Sequence, residues 1–253
     1  MTMSFDFSGR IAVVTGAGSG IGAAIARDLG RFGAHVVVSD IADAGMEAVA
    51  AEIRAAGGKA STFHADTSRP DAVEALIAHA TAQDGRFSML VNNAGIGGPS
   101  APTGEYPVDG WQKVIDINLS GVFYGCRFGI PAIEAAGGGS VVNIASILGT
   151  VGFANSPAYV AAKHGVVGLT KSAGLEYGQR GVRVNAIGPA FIATPLLDAN
   201  LTPEVLEFLK GKHAVGRLGT AAEVSAMTCF LLSDEASFIT GSYHLVDGGY
   251  TAS

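Results

Sequence analysis

The apolar run Ile11–Val14 breaks directly into Thr15-Gly16-Ala17-Gly18-Ser19-Gly20-Ile21-Gly22, and the residues beyond carry a helical stripe, Ile21, Ile25 and Leu29. A strand, a glycine-rich turn and a helix in that order leave few architectures open. Glycines let the backbone turn tightly and approach another molecule with no Cβ in the way. The unpaired N–H groups and positive dipole end of the helix that follows attract phosphate. Only in this strand–turn–helix context does such a pattern predict a dinucleotide cradle.

The rest of the chain keeps the same rhythm. Further β-rich runs are His35–Asp40, Ala60–Asp66, Met89–Asn93, Ser140–Ser146, Arg183–Gly188 and Tyr243–Val246, with longer helical stretches between them. Val36-Val37-Val38 is apolar throughout, as in a strand covered on both faces. The alternation predicts one α/β domain over residues 1–253: a doubly wound, mostly parallel seven-stranded sheet of the Rossmann type, with helices on both faces. Ser68-Arg69-Pro70-Asp71 predicts a helix start with Ser68 as N-cap, and Val73, Leu76, Ile77 and Ala80 mark that helix's apolar face. Gly57-Gly58 and Gly137-Gly138-Gly139 end helices ahead of strands. Residues 190–215 break the rhythm and form a candidate substrate lid.

Composition narrows the function. The chain is 48% hydrophobic and 15% charged, the reverse of a disordered protein, and it can hide part of its surface in an oligomer. Lys and Arg total 16 against 22 Asp and Glu, a net charge of -6 with no basic stripe, which excludes a nucleic-acid partner and attraction to an anionic membrane. No run of about 18 apolar residues exists to span a bilayer. Met1–Arg10 has no basic region followed by an apolar core, so no secretory signal is expected and a cytoplasmic protein is. Cys126 and Cys229 are too few for a disulfide framework or a zinc site; they read as free core thiols, and no metal site is expected.

Asp40 ends the second strand 18 residues after Gly22, where an acid bonds both ribose hydroxyls of an adenosine half. Its charge would repel a 2′-phosphate, which favours NAD over NADP. Asp66 closes the third strand at the same edge and is expected to meet the adenine.

Ser146 ends the fifth strand, and Tyr159 and Lys163 are spaced i, i+4 on one helix face. Together they make a plausible acid/base site. When hydride leaves an alcohol carbon, the hydroxyl proton must go to a base. A free tyrosine titrates near 10, and bringing it to about 7 takes roughly 4 kcal/mol. A lysine ammonium at about 4 Å, with an effective dielectric of about 20, supplies on the order of 4 kcal/mol. A nearby nicotinamide cation would add to it. The serine hydroxyl can hold the substrate oxygen and stabilise its developing charge.

In order along the chain, these motifs resemble the short-chain dehydrogenase/reductases, from about Gly9 to Gly249. The first turn is similar to that family's TGxxxGxG, Asn92-Asn93-Ala94-Gly95 to its NNAG, and Asn185 to Thr194 to its NxxxPGxxxT. Ser146, Tyr159 and Lys163 fall on its serine and YxxxK positions. The resemblance implies that Tyr159 is the acid/base, that Ser146 positions the substrate oxygen, that Lys163 binds the nicotinamide ribose and lowers the tyrosine pKa, and that Asn118 supports a water-linked proton relay through the lysine. It implies cofactor contacts from Gly16, Ser19, Gly20, Ile21 and Gly22, from Asp40 and Ile41, from Asp66 and Thr67, from Asn93, Ala94 and Gly95, and from Pro189, Ile192 and Thr194, besides Tyr159 and Lys163. NADP-preferring relatives often carry a basic residue where this chain has Ser19 and Ile41. Ala190 stands where the pattern has glycine; its methyl would narrow the floor by the nicotinamide or demand a negative φ.

The expected substrate walls are Ile96-Gly97-Gly98-Pro99, Ile147–Phe153 and Phe191–His213, the last with Leu196, Leu197, Leu201, Phe208 and Leu209. No arginine cluster accompanies them, which favours a neutral, partly apolar alcohol or ketone, cyclic or aromatic. His64, His164 and His213 have no partner motif and are not expected to be catalytic. Trp111 reads as a packing residue at the start of a long helix. Gly165, Gly168, Gly174 and Gly178 in the helix after Tyr159 each cost it roughly 1 kcal/mol against alanine, which points to a closely approaching backbone. In the resembling family this helix packs between subunits, so a homotetramer is expected. An NAD-dependent alcohol dehydrogenase is the leading reading. A 3-oxoacyl-carrier-protein reductase and a non-catalytic NAD(H)-binding regulator stay open.

Overall fold

A computed structural model describes residues 5–194, 197 and 202–252. Seven strands, β1 (Arg10–Thr15), β2 (His35–Asp40), β3 (Lys59–His64), β4 (Arg86–Asn92), β5 (Gly139–Ile144), β6 (Val182–Pro189) and β7 (Tyr243–Val246), form one sheet in the order β3-β2-β1-β4-β5-β6-β7. Every pairing is parallel. The strand order reverses between β1 and β4, which opens a crevice at the carboxyl ends of the strands. The helices are α1 (Gly20–Arg31), α2 (Asp43–Ala55), α3 (Pro70–Thr81), α4 (Val108–Ile115), α5 (Gly121–Ala135), α6 (Pro157–Tyr177), α7 (Pro203–Lys212) and α8 (Ala221–Leu232).

Successive strand residues point to opposite faces, so each apolar strand feeds two cores. Ala12, Val14, Val36 and Val38 pack with Ile25 of α1, Ile53 of α2 and Val224 of α8. Ile11, Val13, Val37 and Leu90 pack on the other side with Leu76 of α3, Ile130 of α5 and Val166 of α6. Burying one such side chain contributes about 1.5–3 kcal/mol, which outweighs any local propensity. Cys126 and Cys229 are both free and buried. Among the described residues no helix is long and apolar enough to cross a membrane.

Four local expectations need correction. Strand β3 stops at His64, so Asp66 lies beyond it, and β5 stops at Ile144, so Ser146 opens a 3-10 turn, Ile147–Gly149, instead of ending a strand. Ser68 does not cap α3. Arg69 holds that position without a side-chain cap, while the Ser68 hydroxyl donates to Asp66 Oδ1 at 2.7 Å. Trp111 sits on α4 and is 39% exposed, so as a packing residue it is only partly covered within the chain. Its helix runs on through a π-helical turn, Asp116–Ser120, into α5. The glycines of α6 have their neighbours mostly within the chain. A Cβ on Gly174 would stand 2.4 Å from the Gly241 nitrogen and one on Gly165 2.9 Å from Leu119, whereas one on Gly168 would meet nothing within 4 Å.

Candidate active site

A cavity of about 560 Å³ occupies the carboxyl edge of the sheet, within the usual size of a ligand pocket. At one end lie the glycine turn, Asp40, Ile41, Asp66 and Thr67; at the other lie Ile96, Leu148, Phe153, Phe191 and Leu197; Ser146, Tyr159 and Lys163 stand between.

The turn is built to let a phosphate approach. Gly16 has φ +62° and Gly20 φ +54°, conformations that favour glycine. A Cβ on Gly16 would stand 2.8 Å from the Ala94 Cα. The end of β4 is tied to this turn: Asn93 Nδ2 donates to the Thr15 and Gly16 carbonyls at 2.9 and 3.0 Å, and Thr15 Oγ1 accepts the Asn93 and Ala94 N–H groups at 3.0 and 3.2 Å. Asp40 is oriented by its own loop, its carboxylate accepting the Gly18 N–H at 2.8 Å and the Ala42 N–H at 3.0 Å. A glycine cradle at a helix mouth, with a pre-oriented carboxylate at the adenosine end, fits a nicotinamide dinucleotide.

Tyr159 and Lys163 stand on consecutive turns of α6, with Lys163 Nζ 5.5 Å from the Tyr159 ring centre. Lys163 is 3% exposed and donates to the Ile144 carbonyl at 2.8 Å. Burial pushes the Tyr159 phenol above the ordinary tyrosine value, with the Ser146 hydroxyl pulling the other way. Burial also pushes the Lys163 ammonium down to about 8. The lysine alone therefore does not make the phenol acidic, contrary to the expectation from spacing. Loss of hydration disfavours phenolate and ammonium alike.

The profile of the family described as "Enoyl-(Acyl carrier protein) reductase" matches residues 16–251. Cyclohexanol dehydrogenase of Acinetobacter sp. (strain SE19) is 47% identical over 250 residues, covering 99% of this chain and 98% of the relative. The chain is a short-chain dehydrogenase/reductase. Cis-4-hydroxycyclohexanecarboxylate dehydrogenase of Sinomonas cyclohexanicum is 46% identical, covering 99% and 100% of the two chains. The crystal structure of levodione reductase superposes with a TM-score of 0.94 at 38% identity, covering 98% of this chain and 99% of that one.

Within this short-chain dehydrogenase/reductase, nearly all the residues singled out in the sequence line the one cavity: Gly16, Ser19, Gly20 and Ile21, Asp40 and Ile41, Asp66 and Thr67, Asn93 to Gly95, Ser146, Tyr159, Lys163, Pro189, Ile192 and Thr194. Two do not. Gly22 lies behind the turn, where a Cβ would stand 2.2 Å from the Gly16 carbonyl oxygen, so it packs helix against turn. Asn118 is fully buried in the π-helical turn, where its side chain exchanges two 2.8 Å hydrogen bonds with the Ile96 backbone. It positions the substrate-wall loop and does not face the cavity.

Ala190 keeps a φ outside the positive range, lines the cavity, and donates its N–H to the Val246 carbonyl at 3.1 Å, so the loop accommodates the methyl. Of the candidate lid residues, Phe191 and Leu197 face the cavity, Leu209 packs inward and Phe208 is exposed; Leu196 and Leu201 lie outside the described residues. His213 is buried against the Leu209 carbonyl and does not line the cavity, and His64 pairs with Asp43 at the surface. Sequence reasoning missed Ser100, Ile117 and Ser156, which line the cavity without any motif of their own.

Proposed function

We propose that the chain is an NAD-dependent dehydrogenase that oxidises a neutral, cyclic secondary alcohol and reduces the matching ketone. One observation carries this reading: Ser146, Tyr159 and Lys163 open onto a cavity whose only other charged liners among the described residues, Asp40 at the end of β2 and Asp66 beyond β3, lie at its far, adenosine end. With no cation besides Lys163 among the described lining residues, the apolar walls from Ile96, Leu148, Phe153 and Phe191 suit an uncharged ring. The relatives named for cyclohexanol and levodione support the same substrate class.

The nicotinamide ring, when bound, accepts or donates the hydride. Ser146 donates a hydrogen bond to the substrate oxygen. Tyr159 takes the hydroxyl proton during oxidation and returns it during reduction. Lys163, still cationic at neutral pH, holds the ribose and favours the phenolate, and the positive charge of the oxidised ring adds to it. Asp40 takes the adenosine ribose hydroxyls and repels a 2′-phosphate. Residues 190–215 serve as a lid. The chain acts in the cytoplasm, in keeping with two free, buried cysteines.

An initial-rate screen over cyclic and open-chain alcohols, charged and neutral, with NAD and NADP at equal concentration, tests this. Cyclohexanol-like substrates with NAD are expected to lead. Asp40→Ser is expected to shift the NAD/NADP preference toward NADP by about tenfold or more, since one charge contact is worth roughly 1.4 kcal/mol or more near a phosphate. A preference for hydroxy acids would overturn the substrate class, and an unchanged cofactor ratio in the variant would overturn the role of Asp40. Tight NADH binding without turnover would favour a regulator.

The pH dependence follows from the titrations. The base form of Tyr159 exists only above its pKa, which burial raises beyond the ordinary tyrosine value, so oxidation should climb with pH into the alkaline range, and reduction, which needs the phenol, should fall over the same range. Above about 8 the loss of the Lys163 charge should flatten the oxidation limb. Parallel pH profiles in the two directions would remove Tyr159 from proton transfer.

We further propose a homotetramer in which a second copy covers the open face at Gly168 and the exposed side chains of Trp111, Phe123 and Leu175. Light scattering should then return four chains; the mass of one would end the idea.

A further inference from the structure

Within its own turn the Ser146 carbonyl accepts the Gly149 N–H at 2.9 Å, and three further holds fix the residue. The Ala145 N–H donates to the Ile187 carbonyl of β6 at 2.8 Å. The Ser146 Oγ accepts the Leu148 N–H at 3.2 Å across its own 3-10 turn. The third hold comes from the far edge of the sheet: the hydroxyl of Tyr243, the first residue of β7, donates to the Ser146 carbonyl oxygen. To get there the phenol passes over β6 at Gly188. A Cβ on Gly188 would lie 2.2 Å from the Tyr243 Oη and 2.5 Å from its Cζ, so glycine at 188 is what admits the ring. Burial raises the Tyr243 pKa, which keeps the phenol protonated and able to donate.

We propose that Tyr243 is a positioning residue for Ser146: its phenol, lying over Gly188, clamps the Ser146 carbonyl and so aims the serine hydroxyl at the substrate oxygen. The proposal rests on the role given to Ser146 above. A serine hydroxyl has one proton to give. Its oxygen is already engaged by Leu148, so the direction of that proton depends on where the backbone of residue 146 stands. That backbone is fully extended, φ -176° and ψ 161°, at the point where the chain leaves the sheet, and its carbonyl has no strand pairing, only the Gly149 N–H of its own turn at 2.9 Å. The Tyr243 hydroxyl adds the one hold on that carbonyl from outside the turn, tying it to β7. The ring itself packs on the core shared with α6, so its apolar contacts and its polar clamp are separable.

Tyr243→Phe keeps the ring and removes the clamp. In the full chain with NAD and cyclohexanol, kcat should fall roughly tenfold, less than the ~100-fold that a 1 Å misplacement can cost, with KM for NAD and the melting temperature unchanged. In a Ser146→Ala background the same substitution should change the residual rate no further, because the two act as one unit. Hydrogen exchange gives a readout free of turnover: the Leu148 amide, bonded to Ser146 Oγ, should exchange about tenfold faster in Tyr243→Phe. An unaltered kcat, an equal loss in both backgrounds, or an unaltered Leu148 exchange rate would each overturn the clamp. Failure of the wider reading looks different: the wild-type chain would turn over no alcohol, or Tyr159→Phe would stay active, while the Leu148 exchange test still decides on Tyr243.

Discussion

Tyr159→Phe is expected to lower kcat for alcohol oxidation by roughly a thousandfold while leaving the dissociation constant for NADH within about twofold. The change removes one oxygen and keeps a ring of the same shape in a half-buried site, so packing is preserved. Without the phenol oxygen, the proton released as hydride departs has no base within reach, since Ser146 is a poor one and the Lys163 ammonium is already protonated at neutral pH. A thousandfold corresponds to about 4 kcal/mol of transition-state stabilisation, in the range of a positioned acid/base. Steady-state rates together with NADH fluorescence check both halves. A loss under about tenfold would take Tyr159 out of the chemistry.

Lys163→Met is expected to fail in two respects at once. Among the described residues the ammonium is the only cation lining the cavity, and on the proposed reading its removal takes away both a ribose contact and the charge that favours phenolate. The expected result is a drop in kcat on the order of a hundred- to a thousandfold, with NAD binding weaker by about tenfold. The variant should also melt earlier. The Ile144 carbonyl loses the donor now at 2.8 Å, and an unpaired buried acceptor costs about 1–3 kcal/mol. Weakened NAD binding is what separates this variant from Tyr159→Phe. Unchanged cofactor affinity would leave the lysine acting on the phenol alone.

Where the sequence was legible, the physics was local. Strand β2 is read to the residue, His35–Asp40, because an apolar run is bounded by Gly33 on one side and by an acid and a helix start on the other. The glycine turn is equally plain, since its constraint is a backbone one that no other residue type meets. The failures are contests between neighbours. Ser68 loses the cap of α3 because Asp66, two residues away, engages its hydroxyl first. Asn118 and Gly22 match family positions yet do not line the cavity, and the π-helical turn and the packing of α1 on its own turn place them behind it. The raised pKa of Tyr159 is illegible from an i, i+4 spacing, because spacing conveys attraction and says nothing of hydration. Tyr243 carries no motif at all; its hydrogen bond spans 97 positions and exists only once β5, β6 and β7 are side by side.

The reversal of strand order between β1 and β4 also bears on how the protein matures. The cradle is contributed by β1 and β2, the acid/base helix follows β5, and the loop carrying Ile192 and Thr194 follows β6. A partial sheet is therefore expected to retain no dinucleotide. Recovery of bound-NADH emission during refolding should lag behind the return of helical circular dichroism, and the coenzyme should act as a late selector that withdraws only fully assembled chains from the refolding pool.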